Sequence, residues 1–179
     1  MRVPFTYDYP RPAVTVDVVL ATLDDHGELR VLLIERRHDP FAGAWALPGG
    51  FVDLHEDLEV AARRELLEET GVEVGPMTQL GAYGTPHRDP RGHTVGVAFL
   101  ALCGPGEARP VAGDDAADCR WFAARKPPEL AFDHGVMLHD ARHAFARLAA
   151  EPEVFQRTFA RDPWPAWLED VRRAARGGA

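Results

Sequence analysis

The stretch GFVDLHEDLEVAARRELLEETGV, Gly50 to Val72, decides the fold. At about 100° per residue, a helix running from about Leu58 places Glu65, Glu68 and Glu69 within one narrow arc. Leu58, Ala61 and Ala62 share that arc. The three carboxylates therefore continue the stripe that faces the protein. A surface helix ordinarily turns its acids the other way, because an unpaired charge held out of water is costly or shifts its pKa until it is neutral. Arg64 is the one basic residue beside the arc. A bound divalent cation is the simplest remaining counter-charge, and hard oxygen ligands at this density suit Mg²⁺ or Mn²⁺. Local stability does not select these acids, since negative charge near a helix C-terminus opposes the macrodipole. Gly71 supplies the glycine on which such a helix ends.

The spacing runs Gly50, five residues, Glu56, seven residues, Arg64-Glu65-Leu66, one residue, Glu68-Glu69, one residue, Gly71-Val72. It resembles the Nudix box, GX5EX7REUXEEXGU, with nine defined positions filled over 23 residues. The preceding Trp45-Ala46-Leu47-Pro48-Gly49-Gly50 resembles the approach to the Nudix helix, where glycines let backbone carbonyls come close to the metal. The resemblance covers roughly Pro12 to Ala149. It implies hydrolysis of a nucleoside diphosphate linked to another moiety, with Mg²⁺ or Mn²⁺ held by Glu65, Glu68, Glu69 and the Gly50 or Gly49 carbonyl. Arg64 is expected to orient a box glutamate through a charge-assisted hydrogen bond, and Glu56 to be structural. The general base stays open between the box acids Glu65 and Glu69 and the loop acids Glu107, Asp114 and Asp115, for which plain solvation is the alternative.

A chain of 179 residues with 46% hydrophobic content fits one domain with a real core. Its net charge of −8 argues against a nucleic-acid surface or an anionic-membrane binder, which need clustered basic residues. The two cysteines, Cys103 and Cys119, are too isolated for a disulfide framework or zinc site and read as buried apolar side chains. No run approaches the ~18 apolar residues of a membrane span, so the expected location is cytoplasmic.

Along the chain, residues 1–12 carry Tyr7, Tyr9, Pro10 and Pro12 and read as an extended arm. Residues 13–149 form the main domain. Val14 to Leu23 alternates as a strand, with Val14, Val16, Val18 and Leu20 on one face and Thr15, Asp17 and Val19 on the other. A turn at residues 24–27 returns the chain into a second strand, Leu29 to Arg36. Residues 37–51 read as a loop. After the helix, strands are expected at Met77 to Tyr83, Thr94 to Leu102 and Asp118 to Phe122, then a second helix at His134 to Ala149. The aromatics of 150–179 need a surface, on the domain or on a dimer partner. This order is α/β, and it matches the Nudix-type α/β/α sandwich over a mixed β-sheet.

The polar loop of residues 84–93 is long for mere connection. Its segment Pro86-His87-Arg88-Asp89-Pro90-Arg91-Gly92 resembles the Pro-containing segment of bacterial ADP-ribose pyrophosphatases. Arg88 or Arg91 would fork onto a phosphate, and His87 or Tyr83 would stack on or bond to a base or ribose; the alternative is a rigid turn with solvated arginines. Arg36 and Arg37 are further phosphate candidates. Tyr7 and Tyr9 are candidates to sandwich an adenine, against core or dimer packing. Three readings follow: a pyrophosphatase acting on ADP-ribose or a related nucleotide sugar, a nucleoside triphosphate pyrophosphohydrolase that removes oxidised nucleotides, and a non-catalytic ADP-ribose-sensing regulator. The intact glutamate set favours turnover, and the regulator's winged helix needs more chain than residues 151–179 offer. The small-molecule nucleotide is the expected partner, and family resemblance implies a homodimer.

Overall fold

An apolar side chain at every position of a strand, odd and even alike, needs a layer on both sides. The computed structural model describes residues 7–24, 26, 28–104, 106–113 and 116–150, and meets that need with two helices. The described elements are, in order, β1 (Ala13–Leu23), β2 (Leu29–Arg36), β3 (Trp45–Ala46), β4 (Gly49–Phe51), α1 (Leu58–Thr70), β5 (Met77–Tyr83), β6 (Thr94–Leu102), β7 (Ala116–Ala123) and α2 (His134–Ala150). Val16, Val18 and Leu20 of β1 pack with Ala61, Ala62 and Leu66 of α1. Val19 and Ala21 pack with Met137, Leu138, Ala141 and Phe145 of α2. The period-two alternation of β1 thus sorts its side chains between the two helical layers, giving the α/β/α sandwich.

The sheet runs β3-β2-β1-β6-β5, with β4 paired to β1 and β7 to β2. β1 and β6 are parallel, Ala13 to Ala21 against Thr94 to Leu102, and the other pairs are antiparallel. The sheet is therefore mixed. The second edge of β1 is divided: Ala21 to Leu23 pair with β2, and Thr15 to Asp17 pair with Phe51, Gly50 and Gly49 of β4. That split fixes the glycine pair at the middle of the molecule.

α1 starts on Asp57, whose Oδ1 accepts from the Glu59 N–H at 2.9 Å. It ends on Gly71, at φ 66°, whose N–H donates to the Leu67 carbonyl at 2.8 Å. No basic residue stands in its last turn. The β6–β7 loop compensates, because Val111 N–H donates to the Thr70 carbonyl at 2.8 Å and Gly113 N–H to the Glu69 carbonyl at 2.9 Å. The helix buries small residues, Ala61 and Ala62, beside Leu66. Its axis can then lie close to the sheet, and burying Leu66 alone is worth about 1.5–3 kcal/mol.

Sequence and structure differ in places. The segment read as a loop between Arg37 and Phe51 contains the short strands β3 and β4, because two or three residues are too few to show a period. β7 begins at Ala116 and α2 runs to Ala150. Tyr7 and Tyr9 are not core residues: they are 48% and 64% exposed, with the Arg11 guanidinium 3.9 Å from the Tyr7 ring centre. Cys103 and Cys119 are both buried and unbridged. Residues 1–6, Asp114, Asp115 and the extension from 151 onward lie outside the described residues.

The clamp on the end of α1 leaves no space at Gly113, where an added Cβ would stand 1.8 Å from the Glu68 carbonyl oxygen. Gly113→Ala is expected to cost about 1–3 kcal/mol through overpacking, read as a lower midpoint in urea or thermal unfolding. Gly135→Ala, where nothing lies within 4 Å of the Cβ position, should leave the midpoint unchanged or raise it.

Candidate active site

Side-chain volume sets the site's geometry. β4 presses against β1 so closely that a Cβ on Gly49 would lie 2.1 Å from the Val16 carbonyl oxygen. On the other side, a Cβ on Gly50 would lie 2.5 Å from Oε1 and 2.6 Å from Oε2 of Glu65. Glycine at both places lets the backbone pass between strand and helix. The Gly49 N–H donates to Glu69 Oε2 at 2.9 Å. Glu65, its side chain 14% exposed, lies directly under the backbone of β4. Burial pushes its pKa above the ordinary glutamate value, and the hydrogen bond from Arg64 only partly opposes this.

Arg64 ties the box together. Its Nε and Nη2 donate to the two oxygens of Glu56 at 2.8 and 2.9 Å, and Nη1 donates to Glu65 Oε1 at 2.8 Å and Glu68 Oε2 at 3.1 Å. The fork onto Glu56 is the bidentate geometry that arginine favours. Glu56 also accepts from the Asp53 N–H at 2.9 Å. The Arg64 hydrogen bonds lead in holding the Glu56 pKa down to about 2, and they raise that of Arg64, which stays charged.

Two expectations need correction. Glu68 does not continue the buried stripe: its side chain is 57% exposed, since helix rotation carries it past the sheet while Glu65 points under it. Nor is Arg64 the sole counter-charge, because Arg36 acts on Glu69 from β2. Helical periodicity cannot register a cation that arrives from another strand.

The box acids open onto a cleft of about 460 Å³ that Arg36, Arg37 and Arg91 also line, with Gly49, Gly50, Phe51 and Arg64. Arg36 Nε donates to the Pro40 carbonyl at 2.9 Å and its guanidinium stands 4.9 Å from the Phe132 ring centre. Burial, then the neighbouring Arg91, lowers its pKa. Arg37 Nη2 donates to the Ala116 carbonyl at 2.9 Å. Arg91 forks onto the buried Asp89 and lies 4.9 Å from the Phe51 ring centre. The cleft thus carries both signs of charge, with Asp39 and Asp53 also in its lining.

The remaining candidates lie elsewhere. Arg88, its side chain 5% exposed, forks onto Asp133 through Nε and Nη2 at 2.8 and 2.6 Å. It lines a smaller cavity of about 50 Å³ behind the glycine pair, together with Asp17 and His134. Pro86 and His87 are exposed and line neither cavity. The Tyr83 hydroxyl donates to Asp140 Oδ2 at 3.0 Å. The Glu107 carboxylate accepts from the Gly104 N–H at 2.8 Å and borders a pocket with Glu73 and Cys103, apart from the box. Asp114 and Asp115 fall outside the described residues. Sequence reading passed over Asp17, Phe132 and His134. The signal for Asp17 was available: a lone acid in a strand apolar on both faces.

A divalent cation fits this donor set. Among the described residues no three acidic, histidine or cysteine side chains converge at metal-ligand spacing; Glu65 and Glu68 are drawn to Arg64 and Glu69 to the Gly49 N–H. Yet Glu65 is a buried acid beneath a backbone that excludes any Cβ, and hard oxygens at such a place suit Mg²⁺.

The NUDIX domain pattern matches residues 11–141. The chain belongs to the Nudix family. These are hydrolases that act on pyrophosphate bonds and generally need divalent metal ions, commonly Mg²⁺. The chain is 42% identical over 132 residues to an ADP-ribose pyrophosphatase of Methanocaldococcus jannaschii, covering 74% of each protein. It is 39% identical over 144 residues to the ADPR-responsive transcriptional repressor NtrR of Acinetobacter baylyi, covering 79% of this chain and 56% of that one. Among solved structures, the NUDIX domain of Shewanella oneidensis NrtR complexed with ADP ribose is similar at a TM-score of 0.68 and 36% identity, covering 77% of this chain and 93% of that one. In this Nudix chain no described helix is long and apolar enough to cross a membrane.

The Glu56–Arg64 pair gives a pH test. The Glu56 pKa falls from 4.5 to about 2 on folding, so its stabilisation is complete above about pH 4.5 and disappears as pH falls through 2. Thermal unfolding of Glu56→Gln should lie below the wild type at neutral pH, with the gap closing as pH drops across that window.

Proposed function

We propose that this chain hydrolyses the diphosphate of ADP-ribose, water adding across the anhydride to release AMP and ribose 5-phosphate, with Mg²⁺ or Mn²⁺ as the cofactor. The observation that carries the reading is the single cleft in which box glutamates face three arginines. A diphosphate is a dense anion whose attack by water stalls until its oxygens are neutralised. Arg36, Arg37 and Arg91 meet its oxygens, and Arg36, whose pKa is lowered first by burial and then by the neighbouring Arg91, gains most from an arriving anion. Glu65, Glu68, Glu69 and the Gly50 carbonyl would hold the cation. When bound there, the cation supplies neutralising charge to the diphosphate and acidifies the attacking water.

Among the described base candidates, Glu65 and Glu69 line the cleft. We assign proton acceptance to one of these two. Glu65 lies directly under the β4 backbone and Glu69 accepts the Gly49 N–H, so both stand at the glycine pair where the cation would sit. Arg64 keeps Glu65 and Glu68 oriented, and Glu56 keeps Arg64 in place. The ADP-ribose preference is supported by the M. jannaschii pyrophosphatase relative and by the ADP ribose complex of the Shewanella NrtR domain.

The second reading, a non-catalytic ADP-ribose sensor, is favoured by the 39% identity to the Acinetobacter repressor. Turnover separates the two. Purified protein with Mg²⁺ is expected to release AMP and ribose 5-phosphate from ADP-ribose faster than it hydrolyses nucleoside triphosphates. Glu65→Gln and Glu69→Gln should each lower kcat by about 100-fold or more, with unchanged circular dichroism. Tight ADP-ribose binding with no product would establish the sensor, and faster triphosphate turnover would establish a nucleotide-pool enzyme.

A further inference from the structure

The cleft accounts for the box and for three arginines, and leaves Asp17 without a task. Asp17 sits on the α2-facing side of β1, where its alternation partner Val19 is core. The residue is 6% exposed and its side chain 9%. Its Oδ2 is buried with no hydrogen-bond partner among the described residues. Buried carboxylate oxygens are normally satisfied, and each that is not calls for an explanation.

The other half of the carboxylate is held in place. Oδ1 stands 3.3 Å from Nε2 of His134, a residue 5% exposed at the start of α2. Nδ1 of that ring accepts the Leu47 N–H at 2.9 Å, which leaves the ring proton on Nε2, facing Asp17. The β3–β4 connection and α2 thus fix the orientation of an acid whose remaining oxygen has no partner.

Asp17 lines the cavity of about 50 Å³ behind the glycine pair. That cavity shares Arg36, Gly49, Gly50 and Arg91 with the larger cleft, so a molecule bound by its diphosphate in the cleft can extend into it. Across Gly96, Asp17 Oδ2 and Arg88 Nη1 approach the same point, 3.1 and 3.0 Å from an ideal Cβ position. An acceptor and a donor side by side match a hydroxyl, which both donates and accepts. A phosphate only accepts, and the carboxylate repels it. The cavity is small, about 50 Å³, so what reaches Asp17 is a projecting group such as a hydroxyl.

We propose that Asp17 is a specificity-determining residue whose Oδ2 accepts a hydrogen bond from a sugar hydroxyl of the nucleoside-diphosphate-linked substrate. The proposal rests on the reading of the cleft as a diphosphate site. His134 is then a positioning residue for Asp17.

The test compares ADP-ribose with two analogues, one deoxygenated in the distal ribose and one in the adenosine ribose. Dissociation constants are measured by calorimetry in EDTA, and kcat and KM with Mg²⁺. Wild type should bind one analogue about 10-fold more weakly than ADP-ribose, which corresponds to about 1.4 kcal/mol; the analogue that loses affinity identifies the sugar. Asp17→Asn should bind ADP-ribose more weakly by a like factor, raise KM rather than lower kcat, and no longer distinguish that analogue. Wild type that binds all three equally overturns the proposal, whether or not the variant folds. So does a variant that weakens on all three alike, the mark of a merely structural role. Turnover of ADP-ribose without discrimination sinks the Asp17 assignment alone, whereas neither binding nor turnover of ADP-ribose sinks the diphosphate reading as well.

Discussion

The structure depends on the absence of two side chains. Gly49 and Gly50 run between β1 and α1, where a methyl group on Gly49 would strike the Val16 carbonyl and one on Gly50 would displace the Glu65 carboxylate. The contact is possible because β1 surrenders half of one edge to β4. It is useful because a bare backbone offers carbonyl and N–H groups where side chains would fill the space. The glycine pair is also a thin partition, with the box glutamates in front of it and Asp17 behind it.

Electrostatics follows from that placement. Glu65, pressed under the backbone, has its carboxylate destabilised by burial. Arg64 is attached to Glu56, Glu65 and Glu68 at once, so a partly buried cation keeps the acids aligned without neutralising all of them. Across the cleft the arginines are ordered by other contacts: Arg36 by the Pro40 carbonyl, Arg37 by the Ala116 carbonyl, Arg91 by Asp89. Guanidinium groups fixed in this way lose little side-chain freedom when an anion arrives, and that preorganisation favours binding.

Much of this was legible in the sequence, for identifiable reasons. Long elements with a strong period, β1, β2, β6 and α1, announce themselves because every second or every third to fourth side chain meets a core. The box spacing places Glu65 and Glu69 at the cleft because i and i+4 share a helix face. Legibility stops where a property belongs to two segments at once. β3 and β4 exist only through pairing with β2 and β1. Glu68 emerges into solvent at the edge of the arc, and how much of that arc the sheet covers is decided by packing that the helix's own sequence does not encode. Arg88, read as a phosphate ligand, is met by Asp133 from 45 residues further along, and Asp17 meets His134 from the opposite layer. Sequence reading names residues by their neighbours in the chain, and these partners are neighbours only after folding.

The account rests on Glu65 being a buried acid retained for a divalent ion. Titration of Mn²⁺ into the purified protein, followed by electron paramagnetic resonance of the free ion, tests this directly. Wild type should bind Mn²⁺ in competition with Mg²⁺, and Glu65→Gln, folded and otherwise intact, should bind it at least about 10-fold more weakly. Equal Mn²⁺ affinity in wild type and Glu65→Gln would contradict the account.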